Sequence, residues 1–250
     1  MRALVVANWK MNPATMRQAR ALFEATRRAG EKAKHVSLVV APPAVFLREL
    51  KSRYAGRKIT FAIQHARAEA LGAYTGDISL VQAADAGASY AIIGHAERRA
   101  AGETNDDTRA KVTEALRLGL TPILCVGESK RDPGGAHFSL MREQLRTGCW
   151  DVQSFELKKL VIVYEPLWSI GQDAAMSPRD MHEMAIFIRK SLVEMKNEQA
   201  MNVKILYGGS VDETNAGGML RQGDVHGLLV GRASEDAGKI ASLLHAVEAA

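Results

Sequence analysis

Eight short apolar runs, rich in Val and Ile, recur along the chain. They are residues 3–8, 36–42, 59–64, 90–94, 122–127, 160–165, 203–208 and 227–231. Each is nearly continuous in hydrophobicity and does not alternate with polar residues. That pattern suits parallel strands covered on both faces. Between the runs lie segments with a helical period near 3.6, such as 15–29, 104–118, 178–196 and 235–248. Ser177 before Pro178 reads as an N-cap followed by proline at the first helical position. Thr104 precedes a run containing Asp106 and Asp107, whose charges suit a helix N-terminus. Eight strands, each followed by helix-like sequence, make the count of a (β/α)8 barrel. A doubly wound open sheet is the alternative. It is weakened because no G-x-G-x-x-G follows the first strand. No linker or low-complexity segment divides the chain, so residues 1–250 are expected to form one domain.

Composition narrows the function classes. Hydrophobic residues make up 47% of the 250, enough for a sizeable core. No apolar stretch approaches the length of a membrane span. The opening "MRALVVANWKMN" meets Asn8 and Lys10 too early for a secretory signal. Cys125 and Cys149 have no metal-ligand or redox spacing, which points to a reduced, cytoplasmic protein. The net charge is +5, but the basic residues are scattered among acidic ones. This reads as a solvated basic surface and not as a nucleic-acid footprint. A mild positive field also favours a small anionic substrate. No His, Asp or Glu cluster has metal-ligand spacing, so no metal is expected.

In such a barrel the site lies at the C-terminal ends of the strands. The first run ends in Asn8 and Lys10. The fourth ends in His95, with Glu97 two residues on. The sixth ends in Glu165, then Pro166. The seventh ends in "YGGS", 207–210, and the eighth in Gly231 and Arg232. Taken singly, Lys10 reads as an exposed lysine and His95 as a structural histidine. Glu165 is harder to dismiss, because a buried carboxylate is costly unless paired or used. Convergence on one rim points to an active site. The set suits proton transfer next to a carbonyl. Glu165 can act as base once burial raises its pKa, and His95 and Lys10 can stabilise enediolate charge. The glycine turns suit backbone nests for an anion.

The segments "ANWKMN", "IIGHAERR", "ILCVGE", "VIVYEPLWSIG" and "YGGSV" resemble the triosephosphate isomerase family, in order and across nearly the whole chain. That family is itself the standard example of a carboxylate base paired with a neutral imidazole. The resemblance implies a TIM barrel that interconverts D-glyceraldehyde 3-phosphate and dihydroxyacetone phosphate. Glu165 would shuttle the proton between adjacent carbons. His95, kept neutral by a helix N-terminus, would act on the carbonyl oxygens. Lys10 would supply positive charge, with Asn8 beside it, and Glu97 would pair with Lys10 or exchange hydrogen bonds in the site. Residues 166–176 would form a lid. Gly171, Ser210 and Gly231 would donate backbone N–H groups to the substrate phosphate, with Arg232 at the same end. The loop 72–79, with Thr75 at its tip, would dock a second copy to give a homodimer. No cofactor and no metal are implied.

Four positions depart from the family pattern. Ala96 stands where a serine usually follows the histidine, which is expected to leave Glu165 less well held. The lid tip reads "QDAAM", 172–176. His65 replaces an asparagine. Arg232 replaces the second of two glycines. Arginine suits bidentate phosphate contact, yet its bulk argues that the side chain points away. The lid tip and Arg232 both fall at the phosphate end, while Lys10, His95 and Glu165 are intact. Two alternatives follow: an isomerase of a four-carbon ketose phosphate such as erythrulose phosphate, and a non-catalytic phosphate-binding barrel.

Overall fold

Side chains alternate across a strand, so each apolar run faces two ways. The computed structural model describes residues 2–169 and 176–250. Its strands are β1 (Ala3–Asn8), β2 (Val36–Ala41), β3 (Ile59–Ile63), β4 (Tyr90–Ile93), β5 (Thr121–Val126), β6 (Val161–Tyr164), β7 (Lys204–Tyr207) and β8 (Gly227–Val230). They close into a barrel in sequence order, with β1 paired to both β2 and β8 and every neighbour parallel. This is the expected (β/α)8 architecture, and the open sheet is excluded. Residues such as Leu4, Val6, Val39, Ile92, Ile123, Val163, Leu206 and Leu229 fill the barrel interior. Their alternates, such as Val5, Ala7, Leu38, Leu124, Ile162 and Leu228, pack outward under the helices.

That period of two builds the rim. Asn8 follows Val6 by two residues, Glu165 follows Val163, Gly208 follows Leu206 and Gly231 follows Leu229. A packed interior has no room for polar groups, so the inward register first becomes polar at the mouth, beyond the last apolar layer.

The helices are α1 (Met16–Lys32), α2 (Ala44–Arg53), α3 (Leu80–Asp85), α4 (Ala96–Ala100), α5 (Asn105–Arg117), α6 (Ala136–Gly148), α7 (Pro178–Lys196), α8 (Ala216–Gln222) and α9 (Ala237–Glu248). Ser177 accepts from the Asp180 N–H at the start of α7, as expected. Thr104 and Asp107 close a reciprocal capping box on α5. The last helix starts later than the expected 235. Residues Arg232–Glu235 form a 3-10 turn, and Asp236 then caps α9 by accepting from the Gly238 and Lys239 N–H groups. Among the described residues no helix is long and apolar enough to cross a membrane.

Candidate active site

Asn8 and Lys10 follow from the end of β1. Lys10 takes a left-handed backbone, φ +50°, a conformation that costs a residue with a Cβ and persists only when its surroundings hold it. Here they do. The Lys10 N–H donates to Asn8 Oδ1 at 3.1 Å. Gln64, one step inward-facing beyond β3, donates through Nε2 to the carbonyls of Lys10 (2.8 Å) and Ala41 (2.7 Å). The Lys10 ammonium lies 2.6 Å from Glu97 Oε1. Partial burial of Glu97 opposes its charge, but the hydrogen bond and charge of Lys10 outweigh it and hold the carboxyl below its usual range. Of the two expectations for Glu97, pairing with Lys10 is the one observed.

His95 is the N-cap of α4, and its Nδ1 accepts from the Glu97 N–H at 3.2 Å. A main-chain N–H can only donate, so Nδ1 carries a lone pair. The ring proton then sits on Nε2, 3.2 Å from Glu165 Oε1. The Nε2 edge of the imidazole is thus directed at the carboxylate.

Glu165 is 2% exposed. Burial pushes its carboxyl above the usual range, opposed in part by His95, by the Ala96 N–H and by Lys10. Desolvation thus makes it a better base than a solvated carboxylate. Its Oε2 accepts from the Ala96 N–H at 2.9 Å. With no hydroxyl at position 96, the main-chain N–H is the donor that meets the carboxylate there. Gly208 is required beside it, because a Cβ there would stand 2.5 Å from Val163 Cγ1 and 3.1 Å from Glu165 Cγ.

Asn8, Lys10, His95 and Glu165 form one wall of a cavity of about 310 Å³. The other wall is the chain from Gly208 to Glu213 and from Gly231 to Ala233, with Lys239. Ser210 and Gly231 thus border the same space as Glu165. A Cβ on Gly231 would approach only the end of the flexible Lys10 side chain, at 3.2 Å from Cε. Ser234 Oγ donates to the Gly231 carbonyl (2.7 Å) and lies 3.1 Å from that of Asn8, linking β8 to β1. Arg232 is exposed and borders the cavity. Gly171 and residues 172–175 of the expected lid lie outside the described residues. Met176, just after them, is buried.

Sequence reasoning missed Gln64 and Ser234. Gln64 carried a signal: it follows the inward Ala62 by two residues. At the other departure from the family pattern, His65 Nε2 lies 3.2 Å from Arg98 Nη2. Burial, with the charges of Lys111 and Arg98, pushes its pKa down to about 4. In loop 72–79, Thr75 is exposed and Arg67 braces the base of the loop. Arg67 pairs with Asp77 at 3.0 Å and lies 3.9 Å over the Tyr74 ring. Among the described residues no group of three or more His, Cys, Asp or Glu could hold a metal ion.

Fold and site together define a barrel equipped for proton transfer beside a carbonyl, with an anion-sized recess next to the base. The family model described as triosephosphate isomerase matches residues 3–247. A triosephosphate isomerase from Endomicrobium trichonymphae is 37% identical over 96% of this chain and 97% of its own length. One from Afipia carboxidovorans is 38% identical, covering 94% and 93%. One from Aquifex aeolicus is 32% identical, covering 98% and 99%. The chain belongs to the triosephosphate isomerase family.

Proposed function

We propose that this protein is an aldose–ketose isomerase that interconverts D-glyceraldehyde 3-phosphate and dihydroxyacetone phosphate. The observation that carries the reading is the Glu165–His95 pair. A buried carboxylate with a raised pKa faces the imidazole Nε2 at 3.2 Å, in a cavity that also holds the Lys10 ammonium. Glu165 takes the proton from the carbon next to the carbonyl and returns it to the neighbouring carbon. His95, through Nε2–H, and Lys10 stabilise the negative oxygen of the enediolate, and His95 Nε2 gives its proton to that oxygen and takes one from the neighbouring hydroxyl, so that carbonyl and hydroxyl exchange places. Asn8 holds the Lys10 backbone in place. Ser210 and Gly231 offer main-chain N–H groups to the phosphate, with Arg232 at the mouth. No cofactor takes part. The relatives' names favour the three-carbon substrate over a four-carbon one.

The reading extends to a homodimer through loop 72–79. Leu71 is 85% exposed and Tyr74 is 40% exposed in and beside this loop, and Met11, next to Lys10, is 92% exposed. Apolar groups left open on a loop and beside the site suit burial by a second copy. A reducing, cytoplasmic setting agrees with two buried free cysteines.

A coupled assay with glyceraldehyde 3-phosphate tests the activity. The purified chain should turn over the triose phosphate, and Glu165→Gln should reduce kcat by orders of magnitude. Absence of turnover in the wild type, or an undiminished rate in the variant, overturns the reading.

A further inference from the structure

The β4 ladder ends at Ile93, opposite Leu124. The next residue, Gly94, is left-handed at φ +71° and leads directly into His95. Glycine adopts that conformation without strain, but it does not hold it. Strand hydrogen bonds no longer fix the chain here, and charged side chains do so instead. The Gly94 N–H donates to Glu103 Oε2 at 3.1 Å. The Gly94 carbonyl accepts from Arg99 Nε at 2.8 Å. Arg99 also donates to the Cys125 carbonyl on β5 (3.3 Å) and to Asn105 Oδ1 at the start of α5 (2.7 Å). The other oxygen of Glu103 is paired with Lys111 of α5, and both side chains are almost fully enclosed. Both polar atoms of one glycine are thus clamped from outside the barrel.

The clamp sits behind two groups that touch Glu165. One is His95 Nε2 and the other is the Ala96 N–H, the two residues that follow Gly94. Ala96 carries no polar side chain, so the Oε2 contact depends wholly on where the backbone turn puts that N–H. We infer that Arg99 and Glu103 are positioning residues for the reaction, acting through Gly94 to aim the His95 ring and the Ala96 N–H at Glu165. The inference rests on the isomerase reading of this site.

The physical consequence is a loss of alignment without a loss of substrate contact. Neither Arg99 nor Glu103 borders the cavity. A variant should therefore lower kcat and leave KM nearly alone. A misplacement near 1 Å costs up to about 10²-fold in rate.

The test uses the full chain with Arg99→Met, Arg99→Lys and Glu103→Gln. Each is assayed with glyceraldehyde 3-phosphate, and the His95 ring is observed by ¹⁵N NMR. Arg99→Met should lose roughly 10- to 100-fold in kcat while KM changes by less than about twofold. Its His95 Nε2–H resonance should shift or broaden. Arg99→Lys should recover part of both, because it restores a donor to Gly94. If Arg99→Met does not fold, Glu103→Gln decides by the same readouts. A folded variant with wild-type kcat and an unmoved His95 signal overturns the inference. So does a rise in KM with kcat unchanged. A wild type without isomerase activity would remove the functional reading instead, and the ring signal in the variants would still decide the clamp.

Discussion

The carboxylate of Glu165 and the main-chain N–H of Ala96 lie 2.9 Å apart, so a backbone donor meets the carboxylate at the position where the resemblance would place a serine. Ala96 is the first helical residue of α4, after the His95 N-cap. Proline is tolerated at that position, and the extended backbone of His95 (ψ 144°) suits a residue before proline. Ala96→Pro therefore deletes the donor and leaves α4 intact. Its ring also fills the place of the carboxylate. The expected outcome is a kcat reduced at least about tenfold, with helix content by circular dichroism unchanged. Retention of wild-type kcat would show that the contact is not used.

The pH profile follows from burial of Glu165. Its folded pKa is raised by desolvation above the ordinary 4.5. The base must be ionised to act, so the acid limb of kcat/KM should have its midpoint above 4.5. An acid limb at or below that value would contradict a desolvated base.

The same shift has a stability consequence of defined sign. A folded pKa above the unfolded one means that the folded state binds the proton more tightly. That contribution is fully present below the unfolded value of 4.5 and is lost as pH rises through the folded pKa. Above its folded pKa the ionised Glu165 thus costs stability. Glu165→Gln should raise Tm at pH 7 while removing activity, and the gain should vanish below pH 4.5. Melting curves at the two pH values check the sign.

Arg232 meets solvent at the cavity mouth, so its effect on substrate is electrostatic and screened. Arg232→Gly should raise KM and weaken inhibition by inorganic phosphate by up to about fivefold at low salt. The difference should shrink as ionic strength increases, with kcat unchanged. Identical phosphate inhibition in both proteins at low salt would mean that the guanidinium does not reach the anion.

Behind β5, Gln144 of α6 closes both polar atoms of Gly127. Its Oε1 accepts from the Gly127 N–H at 2.8 Å and its Nε2 donates to the carbonyl at 3.0 Å. Gln144 is 5% exposed. Gln144→Leu keeps much of the volume but orphans two buried groups, at a cost of about 2–4 kcal/mol. Urea unfolding measures it, and a loss within experimental error would contradict the prediction.

The strands were legible because residues buried on both faces stay apolar throughout. Several helices were not. Helix α6 is preceded by Gly135, an N-cap in a left-handed conformation with no side chain to cap it, and α8 opens on Ala216-Gly217-Gly218. Neither has the capping signature that marked α5 and α7. At the site, Asn8, Lys10, His95 and Glu165 stood out as polar residues ending apolar runs. Gln64 and Ser234 did not. Their partners are distant in sequence, with Gln64 54 positions from Lys10 and Ser234 226 from Asn8.

Local periodicity alone determined which residues reach the rim, because alternation along a strand is a property of the extended backbone. What they do there was decided by closure of the barrel. Closure desolvates Glu165, puts His95 Nε2 3.2 Å from it and supplies the Ala96 N–H in place of a hydroxyl. Desolvation and hydrogen-bond pairing depend on what surrounds a group in space, and only the tertiary structure brings β1, β4, β6 and β8 to one mouth.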